Sequence, residues 1–270
     1  MVHQALAYSL TAPAAVGPLR YAGCGSKAIN FLTAGEEVLT LHLSGTGLGP
    51  SGWTISPRTF RHLSEIAPAA EHIWLERGAI RLDSVRLNRG KQGISLRIAK
   101  PEPLSLKALT RILRMQSKHT GLYGALAEIT STGDLSCFEY VRRQLICWES
   151  GGSPNWEGFL GTGPGLTPSH DDMLIGMLFC AYSDPAYQGR AHALLPESLT
   201  LSYWTTSVSE GYLAQARQGY FAEPLLKLNT QNPAAFTHYV QELMNHGHYS
   251  GADTLLGMWL FLKTVGNKTI

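Results

Sequence analysis

Gly161-Thr-Gly-Pro-Gly-Leu-Thr-Pro-Ser-His-Asp-Asp172 runs without a break into Met173-Leu-Ile-Gly-Met-Leu-Phe-Cys-Ala-Tyr182. The second half is apolar on every side, so a helix built from it has to be buried. The first half holds glycines at 161, 163 and 165, which admit turns that residues with a Cβ avoid. Helix-start signals follow at once. Thr167 can cap, Pro168 suits the first helical position, and Ser169 with Asp172 reads as a capping box. A glycine loop ahead of a helix N-terminus offers main-chain N–H groups to an anion. Two adjacent carboxylates and a histidine would repel a bare phosphate, so they point to an amide, an ammonium group, a cation or acid–base work beside the anion.

The same design recurs further on. Ser250-Gly-Ala-Asp-Thr-Leu-Leu-Gly-Met258 matches Ser169-His-Asp-Asp-Met-Leu-Ile-Gly-Met177 at the Ser, Asp, Leu, Gly and Met positions. Asn245-His-Gly-His-Tyr249 precedes the second copy, again polar and again with a glycine. Each copy sets Ser and Asp at a helix start and a glycine about one turn beyond the Asp. The expectation is two helices that cross at Gly176 and Gly257, with their N-termini close together. The competing reading is two unrelated buried helices, each capped by its own serine.

With 270 residues the chain can bury a sizeable core as one large or two ordinary domains. A hydrophobic content of 44% against 16% charged describes a globular protein. A formal charge of +2 is too small to imply nucleic acid or an anionic membrane as a partner. Cys24, Cys137, Cys147 and Cys180 form no CxxC pair, so reduced thiols in a cytoplasmic protein are expected. No apolar run is long enough for a transmembrane helix, and the first residues lack the pattern of a signal peptide.

Residues 1–103 read as β-rich. Glu37–Leu43 and Gly93–Ala99 alternate apolar and polar residues, and Ala28–Leu32, Ile73–Glu76, Ile80–Asp83 and Val85–Asn88 add short strands. Arg58–Ile66 is the one helix expected there. Ser44-Gly-Thr-Gly-Leu-Gly-Pro-Ser-Gly-Trp53 is a second glycine-rich loop, either a flexible hairpin tip or a lid over a ligand. After Lys100-Pro-Glu-Pro103 the pattern turns helical: Leu104–Ser117, Ser136–Trp148 with Ser136 and Glu139 as a capping box, Ser207–Gln218, Asn232–Leu243 and Ser250–Val265. The fold class is therefore α+β, with a small barrel or sandwich over 1–103 and a mainly helical part over 104–270.

Asp171 and Asp172 are the leading chemical candidates, since a carboxylate at a helix start is held by N–H donors and the helix dipole. Asp172 is spoken for as a cap, which leaves Asp171 as the better catalytic candidate. His170 is the one group in the loop that titrates near neutrality. Thr205-Thr206-Ser207 opens another helix with hydroxyls that read as caps. His246 and His248 flank Gly247 as an H-x-H pair. Two histidines are too few for a metal, so a divalent metal is an alternative that needs Asp171 or Asp172 to complete it, and no metal residues are assigned.

Gly163–Asp172, Thr206–Ser207 running to Gly219-Tyr-Phe221, and Gly247–Gly257 together resemble a bacterial family long catalogued without a function. Its members include AllH, a subunit of oxamate carbamoyltransferase in allantoin degradation. The likeness extends to Ala28–Asn30, Leu39–His42 and Gly49–Trp53. The resemblance implies a cytoplasmic subunit of a multi-subunit transferase in anaerobic purine breakdown. Its reaction is oxalurate plus phosphate giving oxamate and carbamoyl phosphate. It implies other subunits and these small anions as partners. The family does not settle which subunit holds the chemistry; from the residues themselves, Asp171, Asp172 and His170 are the catalytic candidates. Gly163, Gly165, Thr167, Ser169, Gly247, His248, Ser250, Asp253, Asn30 and Gly49 are the candidates for binding the anions. Two alternatives remain: a non-catalytic assembly or regulatory subunit, and a metal-dependent hydrolase of a ureido compound.

Overall fold

The structure is a computed structural model, and it describes residues 1–265. The chain forms two compact units. One comprises Met1–Arg97 with Phe221–Pro224; the other takes up the chain from Ile98 to Tyr220 and again from Leu225.

The first unit is a curled ten-stranded sheet followed in sequence by the mostly helical remainder. Its strands are β1 (Val2–Gln4), β2 (Ala7–Ser9), β3 (Gly17–Cys24), β4 (Ala28–Thr33), β5 (Val38–Leu43), β6 (Gly52–Ile55), β7 (Ile73–Glu76), β8 (Ala79–Leu82), β9 (Val85–Asn88) and β10 (Gln92–Ile94). The order across the sheet is β1-β9-β8-β7-β3-β4-β5-β6-β2-β10. β1 lies at one end and β2 next to the other, yet only Ala5 and Leu6 separate them. The sheet has to curl so that its two ends come near one another. Parallel pairs β1 with β9 and β2 with β10 run along that seam. Gly90 permits it, because a Cβ there would fall 2.9 Å from the Ala5 carbonyl oxygen. Ile29, Phe31, Leu39, Leu41, Trp53, Ile55, Ile80 and Leu87 fill the inside, with α1 (Pro57–Ile66) packed through Phe60 and Leu63. Ser56 caps α1 by accepting from Thr59 N–H, and Pro57 opens it.

Two sequence expectations change here. The alternating stretch Gly93–Ala99 is a strand only as far as Ile94. Beyond it Leu96 and Ile98 are buried without extending β10. The loop 44–53 is no hairpin tip, since β5 and β6 are parallel, with Thr40 opposite Gly52. Its Leu48, Gly49 and Pro50 are buried, and Leu48 and Glu223 exchange hydrogen bonds of 3.2 and 2.8 Å.

The second unit contains α2 (Leu106–Leu113), α3 (Leu126–Thr132), α4 (Glu139–Glu149), α5 (Ser169–Ser183) and α6 (Ser207–Arg217). A short α7 (Glu223–Leu226) straddles the boundary, and α8 (Pro233–Met244) and α9 (Ser250–Thr264) follow. Asn232 caps α8 through both Ala234 and Ala235 N–H. The capping box expected at Ser136 and Glu139 does not form. Ser136–Phe138 is a 3-10 turn, the Ser136 hydroxyl donates to Asp134, and α4 begins only at Glu139.

α5 and α9 are the central pair. Both are buried on almost every face, from Met173 through Ser183 and from Gly251 through Leu262. A side chain such as Leu174 or Met258 buried in this way contributes about 1.5–3 kcal/mol. The two helices meet at their glycines. A Cβ on Gly176 would collide with the Thr254 carbonyl, and one on Gly257 with the Met173 carbonyl. Thr254 and Met173 hold the same place in the two copies, so the contact is reciprocal.

Candidate functional site: two helix starts joined crosswise

The capping boxes read from the sequence do not close within their own helices. Pro168 and Tyr249 stand at the two N-cap positions, and neither helix start has a side-chain cap. The serines and acids pair across the crossing instead. Asp172 of α5 sits against the hydroxyls of Ser250 and Thr167, which bond to each other at 2.9 Å. Asp253 of α9 sits against the Ser169 hydroxyl and accepts from Gly121 N–H at 3.0 Å. Gly121 is forced by this packing: a Cβ would strike Ser169 Oγ and come within 3.2 Å of Asp253 Oδ2. Gly163, at φ +126°, likewise lies against Ser169, its Cβ position 2.8 Å from Oγ.

Polar capacity is left over in this cluster. Ser169 Oγ, Asp172 Oδ2 and Asp253 Oδ2 are buried and lack a hydrogen-bond partner of good geometry. Burial pushes the Asp172 carboxyl well above its ordinary value. The Ser250 and Thr167 hydroxyls oppose that rise, and the neighbouring charges of Asp253 and Asp171 add to it. Asp253 is raised too, by burial first, with Gly121 N–H and Ser169 pulling it back. Two carboxyls that repel each other in a buried place hold a proton more tightly than either would alone.

Asp171 does a different job. It is fully buried, and its oxygens accept from Gly161 N–H at 2.8 Å, Ser209 Oγ at 2.6 Å and Thr205 Oγ1. The sequence reading left Asp171 without structural duty; in the fold it is the tie between the glycine loop and the start of α6. Gly161, at φ +75°, lies so close to the Trp204 carbonyl that a Cβ would collide with it. Burial raises the Asp171 pKa, and Ser209, Thr205 and Gly161 pull it back. Thr206 caps α6 as expected, accepting from Ser209 N–H at 3.1 Å.

His170 turns away from the acid cluster. Its ring stacks on Phe159 at 3.9 Å, and Nδ1 lies 2.8 Å from the Phe159 carbonyl oxygen. A carbonyl can only accept, so Nδ1 carries the proton and Nε2 accepts from Tyr123 Oη at 2.6 Å. Burial lowers the His170 pKa, opposed by the Phe159 carbonyl and the Asp171 charge; burial pushes Tyr123 up to about 12.

The fold thus brings Thr167, Ser169, Asp172, Ser250 and Asp253 into one cluster, with Gly163 and Gly247 packed on its serines. Gly165 is exposed at φ +90° and His248 is exposed beside Tyr249. Asn30 and Gly49 belong to the other unit. There Asn30 Oδ1 accepts from Thr40, and Gly49 N–H donates to His42 Nε2 at 3.1 Å. Gly121, Tyr123 and Ser209 were missed in the sequence; the run Lys118–Ala125 carries glycines and hydroxyls but no motif that points to them. Among the described residues no three His, Cys, Asp or Glu side chains gather as a metal site would.

These features define a protein built on a pseudo-symmetric pair of helix starts with buried acids of raised pKa where they cross. Residues 159–262 match a family described as "Oxamate carbamoyltransferase subunit AllH", and that span holds both starts in full. The resemblance read from the sequence is borne out over this span; the family match does not reach Asn30 or Gly49. No solved structure matches the chain. No helix among the described residues is long and apolar enough to cross a membrane.

Proposed function

We propose that the chain is a subunit of an oxamate carbamoyltransferase complex and that the crossed helix starts form part of its reaction site. The reaction is phosphorolysis of oxalurate. A phosphate oxygen attacks the carbamoyl carbon, the bond from that carbon to the oxamate nitrogen breaks, and the nitrogen takes up a proton. The products are carbamoyl phosphate and oxamate. The observation that carries the reading is the crosswise placement of Asp172 beside Ser250 and of Asp253 beside Ser169, with unpartnered polar atoms left between them, inside the span that matches the family. A carboxyl whose pKa is raised by burial and by a like-charged neighbour suits delivery of a proton to the leaving nitrogen. Main-chain N–H groups of the glycine loop suit the charge that develops on the carbamoyl oxygen. Asp171 serves as a positioning residue by holding that loop, and His170, neutral with both ring nitrogens engaged, forms its wall.

The test is the complex reconstituted with its other subunits and assayed for carbamoyl phosphate formation from oxalurate and phosphate. Asp172→Asn is expected to lower kcat by about a hundredfold or more while the complex still assembles. A second reading, a non-catalytic assembly subunit, is favoured by the near-complete burial of all three acids, Asp172 being 6% exposed and Asp253 1%. Unchanged turnover in Asp172→Asn and Asp253→Asn would replace the first reading with the second.

A further inference from the structure

Beside the start of α9 lies a cleft with a volume of about 680 Å³, within the range that small-molecule sites occupy. One wall is the segment that includes Gln116, Lys118 and His119; the other is the last turn of α8 with Gln241 and Met244, continued by His248. No carboxylate lines it. Lys118 has no acidic partner among the described residues. Glu242, next to Gln241 in sequence, is committed to Lys227 at 3.9 Å and to His238 at 3.5 Å.

Both walls are held by main-chain bonds, so the cleft is preorganised. Ala127 N–H donates to the Gln116 carbonyl at 3.1 Å and Leu126 N–H to that of Lys118 at 3.0 Å, which pins the first wall to the start of α3. On the second, His246 N–H reaches the Leu243 carbonyl at 2.8 Å and Gly251 N–H the His246 carbonyl at 3.0 Å. Gly251 is required there, because a Cβ would collide with the Leu243 carbonyl.

We infer that this cleft binds a small oxyanion: Lys118, His119 and His248 grip a carboxylate or phosphate group, and the Gln116 and Gln241 amides pair with an amide at the other end. A single cation with two imidazoles and neutral amides, and no acid, favours an anion over a cation or a neutral ligand. Met244 offers an apolar floor. The choice of probes rests on the proposed carbamoyl transfer; the cleft itself does not.

The test is titration of the full chain with inorganic phosphate and, separately, with oxamate, followed by calorimetry and by the histidine NMR signals. Saturable binding is expected for at least one, weakened about tenfold or more in Lys118→Met and in His248→Asn, as loss of a charge-assisted bond predicts. Phosphate alone or oxamate alone identifies which group is gripped. If the reconstituted complex makes no carbamoyl phosphate but Lys118-dependent binding persists, the transfer reading fails and the cleft stands. No saturation by either anion up to about 10 mM, or affinities unchanged in both variants, overturns the inference.

Discussion

The two helix starts share a motif but not a setting, and the difference separates what the crossing needs from what the loop needs. Position by position, Ser169 and Ser250, Asp172 and Asp253, and Gly176 and Gly257 are the same and do the same work across the pair. Where α5 has Asp171, α9 has Ala252, and where α5 has His170, α9 has Gly251. Asp171 ties down the loop of glycines at 161, 163 and 165, which α9 lacks. Gly251 lets α9 close against the end of α8, a contact for which α5 has no counterpart. What repeats belongs to the crossing; what differs belongs to the neighbours of each start.

The comparison breaks first at the glycines. Gly176→Val and Gly257→Val each drive a side chain into a facing carbonyl, and each is expected to cost about 3 kcal/mol or more in denaturant unfolding. Reciprocal packing requires similar costs; a large loss at one position with a neutral result at the other would show the symmetry to be superficial. Next comes Asp171→Ala, which strands the Gly161 N–H and the Thr205 and Ser209 hydroxyls. A loss of about 2–3 kcal/mol is expected, whereas Ala252→Gly at the matching place in α9 should cost about 1 kcal/mol or less.

The shared acids give a finer test through pH. The folded chain holds the Asp172 proton more tightly than the unfolded chain, whose carboxyl titrates near the ordinary 3.8. The folded state therefore binds more protons between 3.8 and the raised value, and this group's contribution to stability declines as pH rises through that window. Asp172→Asn should flatten that decline in unfolding free energies measured across the acid-to-neutral range. A steeper decline in the variant would mean that the raised value is wrong in sign. The smallest effect concerns α5 alone: Tyr123→Phe deletes one hydrogen bond to His170 and is expected to cost about 1 kcal/mol, with no change at the crossing.

Much of the helical unit was legible because its signals are local. Pro168 ahead of Ser169, Asn232 before Pro233, Thr206 before Ser207 and the apolar run from Met173 act within one or two turns of chain, and those helices stand where they were read. The helix crossing was legible for another reason: a glycine repeated at one spacing in two buried helices has few uses other than close approach. The partners were not legible. A serine and an aspartate three apart satisfy the capping-box pattern, but a hydroxyl pairs with whatever acid packs beside it. Here that acid lies on the other helix. The same limit hid Gly121, whose absent Cβ matters only because Ser169 and Asp253 lie against it. In the sheet, β1 and β2 have three residues each and show no periodicity, and the direction of β6 relative to β5 leaves no mark in their composition.

The sequence alone determined that two like helix starts exist, that both helices are buried and that a β-rich stretch precedes them. Each of these follows from hydrophobic pattern, capping chemistry or glycine spacing, which operate over a few neighbouring residues. Only the tertiary structure decided that Asp172 answers to Ser250 and Asp253 to Ser169, that Asp171 is a loop anchor, and that the sheet curls to bring β1 near β2. Those are choices among partners distant along the chain, and packing makes them.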